Sequence, residues 1–494
     1  MRTAGKIFVV SNRGSYTLKE TENGIVTVPS VSGLVSAVEP VLKQQGGVWI
    51  SWGGREAGPQ TKAVRLPIPQ DNPLYYFHEV LLTPEEIQNY YHGFTNRALW
   101  PLCHYFLERC TYDPKEWSAY VKVNNKFAAA LLTEFSPGSV VWINDYHLAL
   151  VPGICRREMP DARLVFFWHI PFPHYDLFST LPWAREMLQG LLGSTIIGFH
   201  LEDYALNFMD TVRNLLGAVI DYENYTVSWQ GRLVRVRACP MGIDFAAFQD
   251  LAGKAETQAK ARALREQIGT EFVALGVERL DYTKGILERL LAFENFLQDY
   301  PSYRGRLSLI QVAVPSRGSV KAYQQLRSQV EEAVGRINGR FSEGHYRPVH
   351  YFYRALPREE LVSYYLAADI MLVTPLRDGL NLVAKEYVAS RIDEDGVLIL
   401  SKFAGAAREL KGALLVNPYD IDGTARALQL ALTLPAGQRR QRMQALREMV
   451  RKQDLRWWLQ NFHLGSAGPK SGEIIVPRRV IKYSARQKGT AVDV

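Results

Sequence analysis

The sequence has only four cysteines among 494 residues, and they form no CxxC pair and no metal-ligand spacing. A disulfide-rich secreted scaffold is therefore excluded. No apolar stretch reaches the roughly 20 residues that a membrane helix requires. Residues 1–10 contain too short an apolar run for a signal peptide and no small-residue cleavage site. We therefore expect a cytoplasmic protein that has no contact with a membrane.

Short motifs of several enzyme classes are also missing, because the chain has no GxGxxG, no Walker loop, no HExxH and no GxSxG. One sequence, DIDGT at 420–424, matches the nucleophile pattern of haloacid-dehalogenase-type phosphatases. That pattern needs its first aspartate directly at a strand end, whereas residues 417–419 separate Asp420 from the predicted strand at 413–416. We therefore reject a phosphatase.

The bulk composition is that of a globular protein, with 47% hydrophobic and 22% charged residues, and the length allows two or three domains. The net charge of +8 raises the question of nucleic acid. Half of this excess lies in residues 464–494, which we predict to be a basic flexible tail. The rest is spread thinly and suits small phosphorylated substrates at least as well as a polyanion. We therefore expect no specific nucleic-acid partner.

Apolar runs of four to eight residues alternate with helical patterns along the chain, which predicts an α/β protein with parallel sheets covered on both faces. The runs fall into two groups separated by a break near residues 239–244. We predict two doubly wound domains, 1–242 and 243–455, that face each other across a cleft. Residues 456–463 are predicted to form a terminal helix that crosses back to the first domain. The predicted strands are 7–10, 140–143, 164–168, 195–199, 272–277, 307–314, 370–373, 397–400 and 413–416.

The segment 374–388, TPLRDGLNLVAKEYV, is the most informative part of the chain. It follows a predicted buried strand, turns through Asp378-Gly379 and enters a helical pattern at Asn381. A helix N-terminus presents unpaired backbone N–H groups to an anion. The same turn offers a carboxylate and an amide to a sugar, and Glu386 lies further along the helix. This arrangement indicates a nucleotide-sugar site.

Three cations follow other predicted strands of the second group. Arg279 and Lys284 lie on one loop within 277–285, VERLDYTKG, where they could clamp a diphosphate. Arg317 follows the strand at 307–314 and is a candidate phosphate anchor. Ligands bind outside the carboxyl ends of the strands in open parallel sheets, so these cations and the Asp378 turn are expected on one side of the cleft.

The first group of strands supplies a matching set of residues. Arg13 follows the first strand and could bind an acceptor phosphate, and Gly33 opens a helix where its N–H could meet phosphate. Asp145 and His169 each follow a predicted strand. Asp145 could accept hydrogen bonds from sugar hydroxyls or serve as a base, and His169 could contact a sugar at the centre of the cleft.

Aromatic residues near position 90 complete this set. Tyr90, Tyr91 and Trp100 could provide platforms for a sugar face, with core packing as the alternative role. The functional interpretation requires that they lie at the cleft.

In their order and context, these residues and the motifs VERLDYTKG and TPLRDGLNLVAKEYV resemble the trehalose-6-phosphate synthase family over about residues 6–462. The resemblance implies a GT-B fold of two Rossmann-like domains with the active site between them. It further implies transfer of glucose from a nucleotide diphosphate, most simply UDP-glucose, to glucose 6-phosphate with retention of configuration.

The resemblance also implies roles for residues of this sequence. Those expected to act in catalysis are Asp145, His169, Arg279, Lys284 and Asp378. The expected donor-binding residues are Gly33, His169, Arg279, Lys284, Asp378, Gly379, Leu380, Asn381, Leu382, Val383 and Glu386. The expected acceptor-binding residues are Arg13, Tyr91, Trp100, Asp145 and Arg317.

The family is thought to use no protein nucleophile, so we expect no obligatory cofactor or metal and only small-molecule substrates as partners. The sequence departs from the family at Ser32-Gly33-Leu34, where Gly-Gly-Leu is usual, and at Asn144, where histidine is usual. It also carries a longer insert at residues 17–29, which could form a hairpin over the acceptor.

Several alternatives remain open from sequence alone. A related synthase could use glycerol 3-phosphate, and a non-catalytic homologue could sense sugar phosphates. The donor base could be uracil, guanine or adenine, and the chain could form a homo-oligomer. A nucleic-acid-binding protein is the third functional alternative, prompted by the basic tail.

Overall fold

A computed structural model describes residues 6–22, 24–30, 33–316 and 320–462 of the chain. The predicted tail, 464–494, and the candidate phosphate anchor Arg317 lie outside the described residues. Within the described part, the strands form two large sheets and one separate hairpin.

The first sheet combines parallel and antiparallel strands, in the order β10-β11-β12-β9-β8-β7-β1-β4-β6-β5. The seven strands from β12 to β6 in this order are parallel, and antiparallel strands extend both edges. Strands β2 and β3 pair only with each other. The strands are β1 (Ile7–Arg13), β2 (Tyr16–Thr21), β3 (Gly24–Pro29), β4 (Gly47–Trp52), β5 (Arg65–Ile68), β6 (Tyr75–Glu79), β7 (Val140–Asn144), β8 (Arg163–Trp168), β9 (Ile196–Phe199), β10 (Val219–Asp221), β11 (Thr226–Trp229) and β12 (Arg232–Ala238).

The second sheet is parallel throughout and has the order β15-β14-β13-β16-β17-β18. Its central strands are buried along nearly their whole length, because helices cover both faces. The strands are β13 (Phe272–Arg279), β14 (Leu307–Val314), β15 (Val349–Phe352), β16 (Ile370–Val373), β17 (Val397–Ser401) and β18 (Leu414–Val416).

Helices pack on both sheets and connect their strands. The α-helices are α1 (Gly33–Gln45), α2 (Pro84–Glu86), α3 (Trp100–Cys103), α4 (Pro114–Glu134), α5 (Val151–Glu158), α6 (Tyr175–Phe178), α7 (Ala184–Leu191), α8 (Glu202–Leu216), α9 (Phe245–Gly253), α10 (Ala255–Ile268), α11 (Ile286–Asp299), α12 (Lys321–Phe341), α13 (Arg358–Ala367), α14 (Leu382–Ser390), α15 (Ile421–Thr433), α16 (Ala436–Lys452) and α17 (Leu455–Asn461). A π-helical segment covers Ile87–Leu99, and short 3₁₀ turns cover Leu107–Arg109, Tyr146–Leu148, Tyr282–Lys284, Pro301–Tyr303 and Gly405–Arg408. None of the helices in the described residues is long and apolar enough to cross a bilayer.

The last helix, α17, packs against the first sheet. The Trp458 ring lies 5.4 Å from the Trp142 ring and 5.2 Å from the Phe167 ring, both of which belong to the first sheet. The Trp458 indole also donates a hydrogen bond to the Cys239 carbonyl at 3.1 Å. The chain therefore returns to its first half after completing the second sheet.

All nine predicted apolar runs coincide with strands, and the insert at 17–29 contains the hairpin β2–β3. The DIDGT sequence has a structural role, since Asp420 caps the N-terminus of α15 by accepting a hydrogen bond from the Gly423 amide at 2.8 Å. All four cysteines are free thiols. The predicted domain limits remain predictions, although strands before and after residue 243 belong to different sheets.

Candidate active site

The segment that follows β16 forms the predicted strand, turn and helix. Asn381 adopts a positive φ of 79° and caps α14, and its side-chain oxygen accepts a hydrogen bond from the Ala384 amide at 3.2 Å. Leu382 and Val383 form the first turn of α14, and Leu380 is buried in front of it. The turn therefore presents its backbone and the Asp378 side chain to the cleft from a fixed position.

Lys284 and Asp378 form an ion pair between the two predicted donor loops. Lys284 Nζ lies 2.7 Å from Asp378 Oδ2, and the side-chain amide of Asn381 donates a hydrogen bond to the same oxygen at 3.1 Å. Burial opposes ionisation of Asp378, but Lys284 outweighs it, so the pKa of this carboxyl is lowered. Asp378 is therefore a poor general base and a fixed hydrogen-bond acceptor.

The loop that carries Lys284 is held by its own aspartate and glycine. Asp281 is fully buried and accepts hydrogen bonds from the amide and hydroxyl of Thr283, both at 3.0 Å. Gly285 has a φ of 65°, and a Cβ there would lie 2.3 Å from the Thr374 carbonyl oxygen. Only glycine satisfies both conditions, so Gly285 allows the Lys284 loop to pack against the Asp378 loop.

Trp100 meets the donor cations from the opposite half of the molecule. Its ring lies 5.4 Å from Arg279 Cζ and 6.0 Å from Lys284 Nζ. His104 packs beneath it with ring centres 4.1 Å apart, and the His104 Nδ1 lies 2.7 Å from the Trp100 carbonyl oxygen. Burial, together with Lys284, lowers the pKa of His104 to about 3. The imidazole is therefore neutral, and its Nδ1–H donates to that carbonyl.

A buried polar network beneath Arg279 links three strands. Arg289 of α11 is paired with Glu278 at the end of β13, and it donates to Gln311 at 2.9 Å and to Thr374 at 3.1 Å. Its side chain is only 1% exposed. Because Glu278 precedes Arg279 and Thr374 begins the Asp378 loop, this network fixes both donor loops to the sheet.

Glu386 lies on α14 and faces a cavity between the two sheets. The Tyr365 hydroxyl donates a hydrogen bond to Glu386 Oε2 at 2.9 Å. Burial raises the pKa of Glu386, and the bond from Tyr365 opposes that rise. A carboxylate whose orientation is fixed by one hydrogen bond can accept further hydrogen bonds from two neighbouring hydroxyls of a ligand.

The cavity has a volume of about 190 Å³ and is lined by residues of both halves, including Gly33, Gly242 and Glu386. Arg358 reaches across it to donate to the Ser36 hydroxyl at 3.1 Å. Gly33 begins α1, and a Cβ there would lie 2.4 Å from the Leu382 Cδ1 atom. The start of α1 is therefore directly opposite the start of α14.

His169 follows β8 and is held by the neighbouring strand β7. Its Nε2 lies 3.1 Å from Asn144 Oδ1, which can only accept a hydrogen bond, so Nε2 carries the proton. Burial lowers the pKa of His169 to about 3. Its Nδ1 is consequently a hydrogen-bond acceptor at neutral pH. Asn144 thus orients the His169 imidazole. Asn144 itself occupies the position at which the family that this sequence resembles usually has histidine.

Asp145 and Gly379 bring the two halves together around His169. Asp145 has a φ of 75°, and its carboxylate accepts hydrogen bonds from the amides of Tyr146 and His169 at 2.9 and 3.2 Å. A Cβ on Gly379 would lie 2.7 Å from the His169 carbonyl oxygen. The Asp378 turn therefore touches the His169 loop backbone to backbone.

The predicted acceptor residues Arg13 and Tyr91 belong to an aromatic wall. Arg13 Cζ lies 3.9 Å from the Trp52 ring centre, and the Trp52 and Tyr91 rings meet edge to face at 5.9 Å. Tyr91 stacks on His147 at 6.1 Å, and His147 Nδ1 lies 3.9 Å from Asp145 Oδ2. Burial lowers the pKa of Arg13, and the neighbouring Tyr91 opposes this shift. The residue nevertheless keeps substantial contact with solvent.

The structure thus brings the predicted donor residues together and places Arg13, Tyr91, Trp100 and Asp145 around the same cleft. Their individual roles remain predictions. Sequence analysis assigned no site role to several residues that contact these residues or the loops that carry them. These residues are Trp52, His104, Asn144, His147, Arg289, Arg358 and Tyr365. Trp52 had a usable signal, because it ends β4, which contains the apolar run 48–50.

The sequence matches the model of glycosyltransferase family 20 over residues 5–464. It is 43% identical over 453 residues to a trehalose-6-phosphate synthase of Mycobacterium avium, covering 90% of this chain and 92% of that protein. A solved UDP-forming α,α-trehalose-phosphate synthase from Burkholderia xenovorans in complex with glucose 6-phosphate is 35% identical, with a TM-score of 0.85 and coverage of 93% of this chain and 99% of that chain. An E. coli structure bound with UDP-2-fluoro glucose has 34% identity, a TM-score of 0.85 and coverage of 93% and 98%.

Proposed function

The chain belongs to glycosyltransferase family 20, and on this basis we propose that it transfers glucose from UDP-glucose to glucose 6-phosphate. The products are α,α-trehalose 6-phosphate and UDP. The relatives are trehalose-6-phosphate synthases, and solved structures similar to this chain contain glucose 6-phosphate or a UDP-glucose analogue. The GT-B fold expected from sequence agrees with these structural relatives.

The observation that carries the proposal is the position of Lys284. It is paired with Asp378, the carboxylate expected to hold the transferred glucose, and it lies beside Arg279 against the Trp100 ring. The sugar-binding carboxylate and the diphosphate-binding cations therefore meet at one point of the cleft. A glycosyl phosphate bond placed there would have its sugar and its leaving group each contacted by the protein.

On the donor side, Arg279 and Lys284 bind the diphosphate, and the backbone N–H of Gly33 contacts it from α1. Glu386 accepts hydrogen bonds from two ribose hydroxyls, while the Tyr365 hydroxyl donates to its Oε2 and fixes its orientation. The turn from Asp378 to Asn381 and the neutral imidazole of His169 bind the glucose hydroxyls.

On the acceptor side, Arg13 binds the phosphate of glucose 6-phosphate and is backed by the Trp52 ring. Arg317 is proposed as the second phosphate anchor. Tyr91 and Trp100 provide apolar surface for the sugar ring, and Asp145 orients one of its hydroxyls. Stacking of Tyr91 on His147 fixes the position of the Tyr91 ring.

The reaction is proposed to retain configuration without a protein nucleophile. The anomeric hydroxyl of glucose 6-phosphate attacks the donor's anomeric carbon from the face that the diphosphate leaves, and its proton passes to a departing phosphate oxygen. Asp378 is held ionised by Lys284 and is engaged in hydrogen bonds, so it acts on the sugar rather than as a nucleophile. Arg279 and Lys284 stabilise the charge that develops on the diphosphate in a cleft of low water content.

We further propose that the reaction requires no metal or cofactor, since the two cations are placed to neutralise the leaving diphosphate. Turnover should be unchanged in excess EDTA after removal of divalent ions. Activity that disappears with EDTA and returns on addition of Mg²⁺ would contradict this proposal.

The four free thiols favour a reducing, cytoplasmic location. The proposed partners are the small-molecule substrates. Fractionation of cells that express the protein would test the location, and recovery of the activity outside the cytoplasmic fraction would contradict it.

The function is tested with purified protein and UDP-, GDP- or ADP-glucose against glucose 6-phosphate or glycerol 3-phosphate. We expect a non-reducing disaccharide phosphate from UDP-glucose and glucose 6-phosphate. Product only from glycerol 3-phosphate would transfer the assignment to the related synthase that uses this acceptor. Absence of product from every pair would contradict the proposed reaction.

A further inference from the structure

A second cavity, separate from the candidate active site, lies between the two halves of the molecule. Its volume is about 360 Å³, within the range of roughly 300–1,000 Å³ typical of small-molecule sites. None of the predicted donor or acceptor residues lines it. The N-terminal half contributes the start of α8, and the C-terminal half contributes the loops that follow β16 and β17. Its lining residues include Tyr204, Arg377, Lys402, Phe403, Arg408 and Lys411.

The lining of this cavity is strongly positive. It contains four cations, Arg377, Lys402, Arg408 and Lys411, but only one carboxylate, Asp203. Arg408 is paired with Asp203 across the gap between the two halves. Among the described residues, none of the other three cations forms an ion pair with a carboxylate. Lys402 and Lys411 are exposed at the mouth, so their charge is available to a ligand.

The cavity also has aromatic and apolar surface. Phe403 and Tyr204 line it together with Leu201 and Leu415. The Arg377 guanidinium stacks on Tyr105 at 3.7 Å, which fixes its position at the cavity wall. A ligand that matches this lining combines several negative charges with a small organic body.

One wall of the cavity is the back of the Asp378 turn. The Asp378 amide donates to the Phe403 carbonyl at 3.2 Å, and the Gly405 amide donates to the Asp378 carbonyl at 3.1 Å. A Cβ on Gly405 would lie 2.1 Å from the Gly379 carbonyl oxygen, so the two segments are in close backbone contact. The Tyr204 hydroxyl also donates to the Asp378 carbonyl, at 3.4 Å. A ligand that moves the Phe403 backbone or the Tyr204 hydroxyl therefore acts directly on the Asp378 turn.

We propose that this cavity is a regulatory site for a small multiply charged anion, either a phosphate ester or a polycarboxylate. The anion bridges Lys402 and Lys411 of the C-terminal half. It also accepts a hydrogen bond from the Tyr204 hydroxyl of the N-terminal half, which then no longer donates to the Asp378 carbonyl. Binding changes the affinity for the sugar donor through the hydrogen bonds between residues 403–405 and Asp378. This effect on the donor rests on the proposed function, whereas binding of the anion does not.

The test is isothermal titration calorimetry on the full chain with inorganic phosphate or citrate, at constant ionic strength because salt screens exposed charges. UDP and glucose 6-phosphate are present at saturation so that the candidate active site is occupied. We expect saturable heat, from phosphate if the site takes phosphate esters and from citrate if it takes polycarboxylates. Failure of UDP itself to bind would count against the proposed function and is measured separately, from the heat of UDP addition.

The informative variant is Lys402→Ala/Lys411→Ala, which should weaken anion binding by roughly tenfold or more, because two charge-assisted hydrogen bonds are lost. Lys115→Ala/Lys254→Ala removes the same charge from exposed positions elsewhere and should bind the anion as the unaltered protein does. The melting temperature of each variant checks its fold. Lys402→Ala alone provides a second test with little expected effect on the fold, because the contact described for the Lys402 ammonium is with the Phe403 ring, at 5.2 Å.

In initial-rate assays, the anion that binds should shift the KM for UDP-glucose in the unaltered protein and in the Lys115/Lys254 variant, but not in the Lys402/Lys411 variant. No saturable heat from either anion would overturn the proposal. Binding that persists unchanged in the Lys402/Lys411 variant would overturn it as well.

Discussion

The donor and acceptor sides of the cleft are built by different means. On the donor side, polar groups are paired with each other before any substrate arrives, as in the Lys284–Asp378 ion pair and the Tyr365–Glu386 hydrogen bond. On the acceptor side, Arg13 is held by contact with an aromatic ring. The paired donor residues Lys284 and Asp378 follow strands of the second sheet, whereas Arg13 ends a strand of the first sheet.

This difference predicts different costs of substitution. Removing one member of a buried polar pair leaves its partner unsatisfied, so changes on the donor side should reduce both activity and stability. A cation that stacks on a ring at the edge of the cleft leaves no buried charge behind when it is removed. Changes on the acceptor side should therefore alter binding of one substrate with little effect on folding.

Lys284→Ala provides the largest test of this comparison. Loss of a charge directed at the leaving diphosphate should lower turnover by about 10²–10³-fold. The structure also predicts a loss of about 3–5 kcal/mol in the free energy of unfolding, because Asp378, whose side chain is only 15% exposed, remains charged without its cation. Initial rates and urea denaturation measure the two effects.

The pH dependence of stability tests the same pair. The pKa of Asp378 is lowered in the folded protein, so the pair stabilises the fold above the unfolded pKa of about 3.9 and loses this effect as pH falls through the lowered folded pKa. In Lys284→Ala the burial of Asp378 is no longer opposed by the lysine and is opposed only by smaller effects that include the hydrogen bond from Asn381, so the pKa of Asp378 should be higher than in the unaltered protein. The stability deficit of the variant should therefore shrink as pH falls. The control Lys284→Ala/Asp378→Asn should regain stability but not turnover. If Lys284→Ala were as stable as the unaltered protein at every pH, the donor side would not depend on this buried pair and the comparison would fail.

Gly379→Ala tests the place where the two sides meet. The added Cβ would lie 2.7 Å from the His169 carbonyl oxygen, and backbone on both sides leaves little room for relaxation. The donor turn should move away from the His169 loop. Misplacement of about 1 Å can reduce turnover by about 10²-fold. Gly335→Ala is the matched control, because a Cβ there meets no atom within 4 Å. Equal turnover in the two variants would show that the two sides act independently.

Arg13→Ala tests the acceptor side alone. Loss of a hydrogen bond to a charged group should raise the KM for glucose 6-phosphate by roughly 10- to 100-fold, while the KM for UDP-glucose stays constant. The free energy of unfolding should fall by no more than about 1 kcal/mol, since the change removes the stacking on Trp52 and, within the described part of the chain, breaks no ion pair. Steady-state kinetics in both substrates and urea denaturation provide the measurement. A stability loss as large as that of Lys284→Ala would remove the distinction between the two sides.

The sequence predicted the core of the fold because buried parallel strands are continuous apolar runs. Strand β13 has such a run and was recognised from it. Strand β12 was missed because exposed arginines alternate with buried valines along it, and β15 was missed because it is short and half-buried. Strands with a polar face carry a weaker signal than strands covered on both faces.

The site was predictable where its residues share one segment and not where they meet only in the fold. Asp378 and Glu386 lie on one strand–turn–helix segment, whose pattern indicates its ligands. Arg289 lies on a helix whose sequence gives no sign that its guanidinium reaches Thr374. His104 contacts the cleft only through Trp100, so its own segment predicts ordinary core packing.

Tyr365→Phe is expected to have the smallest effect and tests the donor side without removing a charge. The change deletes the hydrogen bond to Glu386 but keeps the ring in place against Tyr387, whose centre is 6.2 Å away. A net loss of about 1 kcal/mol should raise the KM for UDP-glucose by roughly fivefold.

Tyr365→Phe should also alter the pH dependence of kcat/KM for UDP-glucose. Burial raises the pKa of Glu386 and the Tyr365 bond opposes that rise, so the variant should have a still higher pKa. Because Glu386 must be ionised to accept two ribose hydroxyls, the acid limb of kcat/KM for UDP-glucose should shift to higher pH. Tyr364→Phe is the control, since the adjacent hydroxyl contacts Arg354 rather than Glu386. Equal profiles for the two variants would show that the donor carboxylate does not depend on its buried partner, and the contrast between the two sides would then rest on the Lys284–Asp378 pair alone.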